Sequence, residues 1–180
     1  MLIVRETSDL NSALQTVVKT HHLKSTPDNA KSLYRPFWLG KAIYTGQRRD
    51  RTIINGTVVF IADARVTGWA IIGAYQHRRI ENVLDLRKHN VNFKVDEKEP
   101  EEGATVLEPL IEKEQLPSRA NLLRGRRMLS RAMSMGKIKF DENIEYHLIY
   151  RPYWEIEFQR KNGEPDVAMV SRDEILVRGR

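Results

Sequence analysis

The sequence predicts an α+β protein of two tandem units, each a helix packed on a small antiparallel sheet. Three observations carry that prediction. The aromatic hexapeptide Leu33-Tyr34-Arg35-Pro36-Phe37-Trp38 returns as Ile149-Tyr150-Arg151-Pro152-Tyr153-Trp154. Around each copy apolar residues recur at every second position, the period of a strand with one apolar face. A stretch of helical period precedes each copy.

In chain order, residues 1–6 read as a short strand. Thr7-Ser8-Asp9 then offers a helix N-cap, and Leu10, Ala13, Leu14, Val17 and His21 fall at helical spacing over residues 9–23. The first aromatic strand, with Tyr34, Pro36 and Trp38 on one face, runs toward Tyr44 and ends at a Thr45-Gly46-Gln47 turn. Asn55-Gly56 signals a hairpin inside residues 53–62. Asp63-Ala64-Arg65-Val66-Thr67-Gly68 is a further turn, and Trp69 to Tyr75 a further strand. Residues 76–90 are charged with scattered apolar positions and read as a short helix. An acidic run over 96–103 reads as the connection between a first unit, 1–95, and a second unit, 104–180. Ser118 caps a second helix, whose stripe is Leu122, Leu129, Ala132 and Met133.

In the second aromatic strand Tyr146, Leu148, Tyr150, Pro152, Trp154, Ile156 and Phe158 share one parity. It ends at the Lys161-Asn162-Gly163 turn, with Val167 and Met169 on a returning strand. A proline cannot donate to a ladder, so Pro36 and Pro152 are expected on edge strands or at bulges.

An aromatic-x-Pro-aromatic-Trp strand followed by an Asp-Ala-x-Thr-Gly-like turn resembles PepSY-type domains. The matching residues are Tyr34, Pro36, Phe37, Trp38, Asp63, Ala64, Thr67 and Gly68, with one extra residue in the turn. The second copy keeps Tyr150, Pro152, Tyr153 and Trp154, while Asp166-Val167-Ala168 lacks the Thr-Gly. The resemblance implies a helix on a small antiparallel sheet, a place outside the cytoplasm, and a role in inhibiting or regulating partners.

The chain has 180 residues, enough for one ordinary domain or two small ones. It has no cysteine, which excludes disulfides and thiolate metal sites. No apolar run is long enough to span a membrane. Met1-Leu2-Ile3-Val4 is too short for a signal-peptide core and is followed by Arg5-Glu6, so a cytoplasmic protein is expected. The net charge of +6 permits contact with nucleic acid or an anionic surface without requiring either.

The candidate binding residues are Arg124, Arg127 and Arg131. They form a basic stripe on the helix read over 118–135, opposite Leu122 and Leu129. Phosphate contact through that stripe is one reading, a solvated face the other. Arg48-Arg49-Asp50-Arg51 reads as a hairpin tip and Arg78-Arg79 as a loop. The repeated Tyr34, Trp38, Tyr150 and Trp154 read as core aromatics. His21, His22, His77, His89 and His147 show no metal-ligand spacing, so no metal site and no cofactor is assigned. No catalytic residue is assigned, and Asp63 reads as the cap of its own turn. The function expected is a non-enzymatic interaction or regulatory protein with a protein partner. A nucleic-acid-associated protein led by the basic helix is the alternative, and the oligomeric state stays open.

Overall fold

A computed structural model of the protein describes residues 1–118 and 137–173. The strands are β1 (Leu2–Val4), β2 (Asn29–Gln47), β3 (Ile53–Asp63), β4 (Trp69–Gln76), β5 (Val95–Glu97), β6 (Thr105–Val106), β7 (Lys137–Gln159) and β8 (Pro165–Ser171). Helix α1 spans Leu10–His21. The strands form one mixed sheet in the order β4-β3-β2-β7-β1-β5, with β6 beside β2 and β8 beside β7.

This corrects the expected fold class. The protein is mostly sheet, not two tandem units each with a helix on its own sheet. Among the described residues α1 is the only α-helix. The helix read over 118–135 lies outside the described residues except for Ser118. The physical reason is the length of the two aromatic strands. At 19 and 23 residues, β2 and β7 are each long enough to take several partners, and they pair with each other instead of nucleating separate sheets.

The repeated hexapeptide still has structural meaning. Leu33 and Tyr34 lie beside the parallel β6, and from Phe37 onward β2 pairs antiparallel with β3. Likewise Tyr150 lies beside the parallel β1, and from Tyr153 onward β7 pairs antiparallel with β8. Each proline therefore sits at the seam where a long strand exchanges one neighbour for the next. Tyr34 O accepts from Leu107 N on the β6 side, and strand alternation turns the Pro36 backbone to that same side. Pro152 O accepts from Arg172 N but has no N–H to return. The edge-strand expectation for the prolines is thus replaced. They lie on interior strands, at the one place where an interior strand needs no donor.

Chain contacts divide the protein into two interleaved units. The first holds Met1–Pro36, Leu84–Glu108 and residues 149–173. Its helix starts as the sequence suggests: Asp9 Oδ1 accepts the Ser12 N–H at 2.8 Å. Ala13 and Val17 are buried against Ile156 and Phe158, with Trp154, Ala168 and Val170 packed around them. Met1 to Val4 enters this unit as β1, antiparallel to β5.

The second unit holds Phe37–Val83 and residues 109–118 and 137–148. Its core joins Ala42, Tyr44, Ile54, Val58, Phe60, Ile138 and Phe140. The Phe60 ring is at its centre, edge-on to Trp69 at 5.9 Å and to Tyr146 at 5.7 Å. Asn55-Gly56, expected in a hairpin, lies inside β3. A Cβ on Gly56 would stand 2.2 Å from Tyr75 O, so the glycine serves strand approach and not a turn. The β2–β3 hairpin turns at Arg48–Thr52, where the sequence places a hairpin tip, with Arg51 at φ 71° and Asp50 Oδ1 accepting from Thr52 N.

Gly40 is similarly constrained, since a Cβ there would meet Phe60 Cζ at 2.3 Å. Phe60 is fully buried between Trp69 and Tyr146 and cannot swing away. Gly40→Ala is therefore expected to destabilise the protein by about 2–3 kcal/mol through overpacking, read as a lower urea midpoint. An unchanged midpoint would show that the ring has room to move.

Candidate functional site

The side chains with chemistry to offer gather at one end of the second unit. The β2–β3 tip carries Arg48, Arg49 and Arg51, all exposed. The segment leaving β4 carries His77, Arg78 and Arg79, also exposed. Arg48 Nη2 donates to Gln76 Oε1 at 3.0 Å and so ties the two segments together. Among the described residues none of these five arginines makes an ion pair. Asp50, the one acid on the tip, is occupied by the Thr52 N–H, which holds its carboxyl below its ordinary value.

The segment after β4 is firmly held. His77 N donates to Asn55 O at 2.8 Å. The fully buried Thr57 hydroxyl donates to Arg78 O and accepts from Ile80 N, both at 3.1 Å. Ile80 is itself buried, 1% exposed, so the adjacent arginines project from an anchored backbone.

Beneath these arginines run two cavities of about 460 and 520 Å3 that share Ile43 and Arg79. Ile43, Ile53 and Ile144 supply apolar surface, and Asn55, Asp141 and Asn143 supply hydrogen-bonding groups. At one end, the nearly buried Lys41 Nζ meets Glu145 Oε2 at 2.5 Å, and His147 Nε2 meets Glu145 Oε1 at 2.7 Å. Partial burial pushes the Glu145 carboxyl up, but hydrogen bonds from Lys41 and His147 outweigh it and hold the group below its ordinary value. The carboxylate is thus paired by its neighbours, and Arg78 and Arg79 stand over the cavities beside Glu81 and Asp141.

The residues proposed from sequence fall elsewhere. Arg124, Arg127 and Arg131 lie outside the described residues. Tyr34 is fully buried, and Pro36 and Pro152 are buried at their seams. Trp38 is half-buried and donates to Ile111 O at 3.0 Å, within the second unit. Trp154 packs near α1 in the first unit, and Tyr150 pairs with Ile3. The two tryptophans therefore occupy different surroundings. Asp63 lines a 380 Å3 cleft, but its Oδ1 accepts the N–H groups of Arg65 and Val66, so it caps its turn. Among the described residues no three histidines or carboxylates gather as a metal site would, and no helix is long and apolar enough to cross a membrane.

Sequence reading treated Arg48–Arg51 and Arg78-Arg79 as separate minor clusters. Strand register could have joined them. The β3–β4 pairing sets Gly56 opposite Gln76, so residues 77–79 continue toward the tip that precedes Ile53. Comparison of the chain with protein-family models, curated proteins and solved structures returns no match.

Proposed function

We propose that this is a non-enzymatic nucleic-acid-associated protein that contacts phosphates through the basic end of its second unit. The observation that supports this most is the Arg48–Gln76 hydrogen bond, which joins two arginine clusters into one surface where five exposed arginines outnumber the acids beside them, Asp50, Glu81 and Asp141. Five exposed arginines, two of them on anchored backbone, suit a row of phosphates, because each guanidinium presents paired donors to phosphate oxygens. The chain's excess of base over acid acts in the same direction.

Binding of a labelled oligonucleotide, followed across a salt series, tests the proposal. Affinity is expected to fall steeply with salt. The Arg78→Ala/Arg79→Ala variant is expected to bind more weakly and to lower the salt slope by about 2, near one unit per lost phosphate contact. No binding at low salt would end this reading. An unchanged slope in that variant, with a reduced slope in Arg124→Ala/Arg127→Ala/Arg131→Ala, would move the contact to the 118–135 segment.

A protein partner is a second reading, favoured by β4. This edge strand, Trp69–Gln76, carries no charge and no proline, and β3 is its only strand partner among the described residues. Such an edge can accept a further strand. That reading expects one stoichiometric partner whose binding survives moderate salt.

A further inference from the structure

We infer that the groove beneath Arg78 and Arg79 receives the bases of a single strand, so that the protein prefers single-stranded nucleic acid to duplex. This rests on the phosphate-binding reading above and names the form of nucleic acid that reading leaves open.

The groove has two chemically distinct parts. Its rim is cationic, with Arg78 and Arg79 exposed and without ion pairs among the described residues. The rest of its lining is mixed, with Lys41 paired to Glu145 and Glu81 nearby. Ile43, Ile53 and Ile144 offer apolar surface, and Asp141 and Asn143 stand exposed beside them. A phosphate would be repelled by Asp141 and gains nothing from isoleucine. A base has a flat apolar face for the isoleucines and amino and ring N–H groups for the carboxylate and amide to accept. This juxtaposition of arginines with isoleucines and acceptor groups in one lining matches a nucleotide with its phosphate on the arginines and its base against the isoleucines. The guanidinium planes of Arg78 and Arg79 can also stack on a base face.

A duplex cannot use this interior, because its bases are paired and stacked within the helix. Only its phosphates would reach the rim. The two cavities, of about 460 and 520 Å3 and with Ile43 and Arg79 in common, leave space for more than one unstacked base. Charge alone ranks the ligands the other way, since a duplex presents the denser row of phosphates and the steeper counterion release. The order of affinities therefore separates groove binding from simple attraction to charge.

Fluorescence anisotropy on the full chain, at one fixed salt concentration, provides the test. Its three probes are a mixed-sequence 12-nucleotide single strand, the matching duplex, and an abasic strand of equal length. The intact single strand is expected to bind about tenfold more tightly than the abasic strand, the scale of one stacked base, and more tightly than the duplex. Asp141→Ala and Asn143→Ala are expected to weaken the intact strand several-fold. On charge alone, Asp141→Ala would instead tighten every probe. Both residues are exposed, and a circular dichroism spectrum checks each variant's fold. Equal affinity for intact and abasic strands, or a preference for duplex, overturns the inference while leaving phosphate binding in place. Absence of binding to all three probes at low salt overturns both.

Discussion

Arg172→Ala is expected to lower the unfolding free energy by about 3 kcal/mol and to flatten the acid limb of the stability profile. Arg172 is 4% exposed at the end of β8, within the first unit. Its guanidinium donates to both oxygens of Glu101, at 2.9 and 2.6 Å, to Ser32 Oγ at 2.7 Å, and to Glu6. It also lies over the Trp154 ring, 4.1 Å from the centroid. One side chain thus joins the approach to α1, the start of β2, the acidic connection and β7. Losing it leaves Glu101 with only the Ser32 hydroxyl and Glu6 with only Lys98, and exposes an indole face, which sets the scale of the effect. The acid limb follows from Glu101. Hydrogen bonds from Arg172 hold its carboxyl down to about 2, against an ordinary 4.5. A depressed carboxyl contributes stability that is complete above its unfolded value and is lost as pH falls through the folded one. The wild type should therefore lose stability between about pH 4.5 and 2 more steeply than the variant does. Urea titrations of both proteins across that window measure the difference. Parallel profiles would show that Glu101 is not held by Arg172.

The acidic run that contains Glu101 shows what sequence could and could not reveal. From sequence it reads as an exposed connection, because acids and a proline in series form no amphipathic period. The structure gives one of its members a buried arginine partner 71 residues away, and no local pattern reports such a pair. Local signals fared better. The Asp9 cap, the Ala13 and Val17 face of α1, the turn at Gly163 and the Asp63 cap all depend on residues within a few positions of each other.

What failed was inference from a repeat to a unit. The Tyr-Arg-Pro-aromatic-Trp pattern repeats because two strands need the same device, a proline where a long strand changes neighbours. It does not repeat because a helix-plus-sheet body has been copied. The Asn55-Gly56 signal failed for a related reason. A glycine demanded by Tyr75 O across the ladder looks the same in sequence as one demanded by a turn. The candidate site was half legible. Each arginine cluster was visible, but their union depends on the bulged pairing of β3 with β4, where Val59 faces Gly73 and Phe60 faces Ile71.

The shared parity of the two aromatic strands also concealed Arg151, which sits among the polar positions yet is buried. Its side chain is 3% exposed and that of its partner, Asp173, 1%. The pair is bidentate, with Nε to Oδ2 at 2.9 Å and Nη2 to Oδ1 at 2.7 Å, and Ser171 Oγ accepts from Nη2 at 3.1 Å. Both side chains are nearly sealed from water, so removing one leaves the other charged without its bidentate partner. Asp173→Ala is therefore expected to cost about 3–5 kcal/mol. For a chain of this size that is a fall in melting temperature of about 10 °C. Arg151→Ala should cost a similar amount. The informative variant is the double one. Arg151→Met with Asp173→Leu removes both charges and fills the space with apolar atoms, and it is expected to recover most of the loss. Calorimetric melts of the three variants decide between two origins of the effect. If the double variant is as unstable as either single one, packing at this seam governs. If it approaches the wild type, the penalty in the single variants belongs to the uncompensated charge. The ion pair then contributes specificity to the β7–β8 end of the first unit more than net stability.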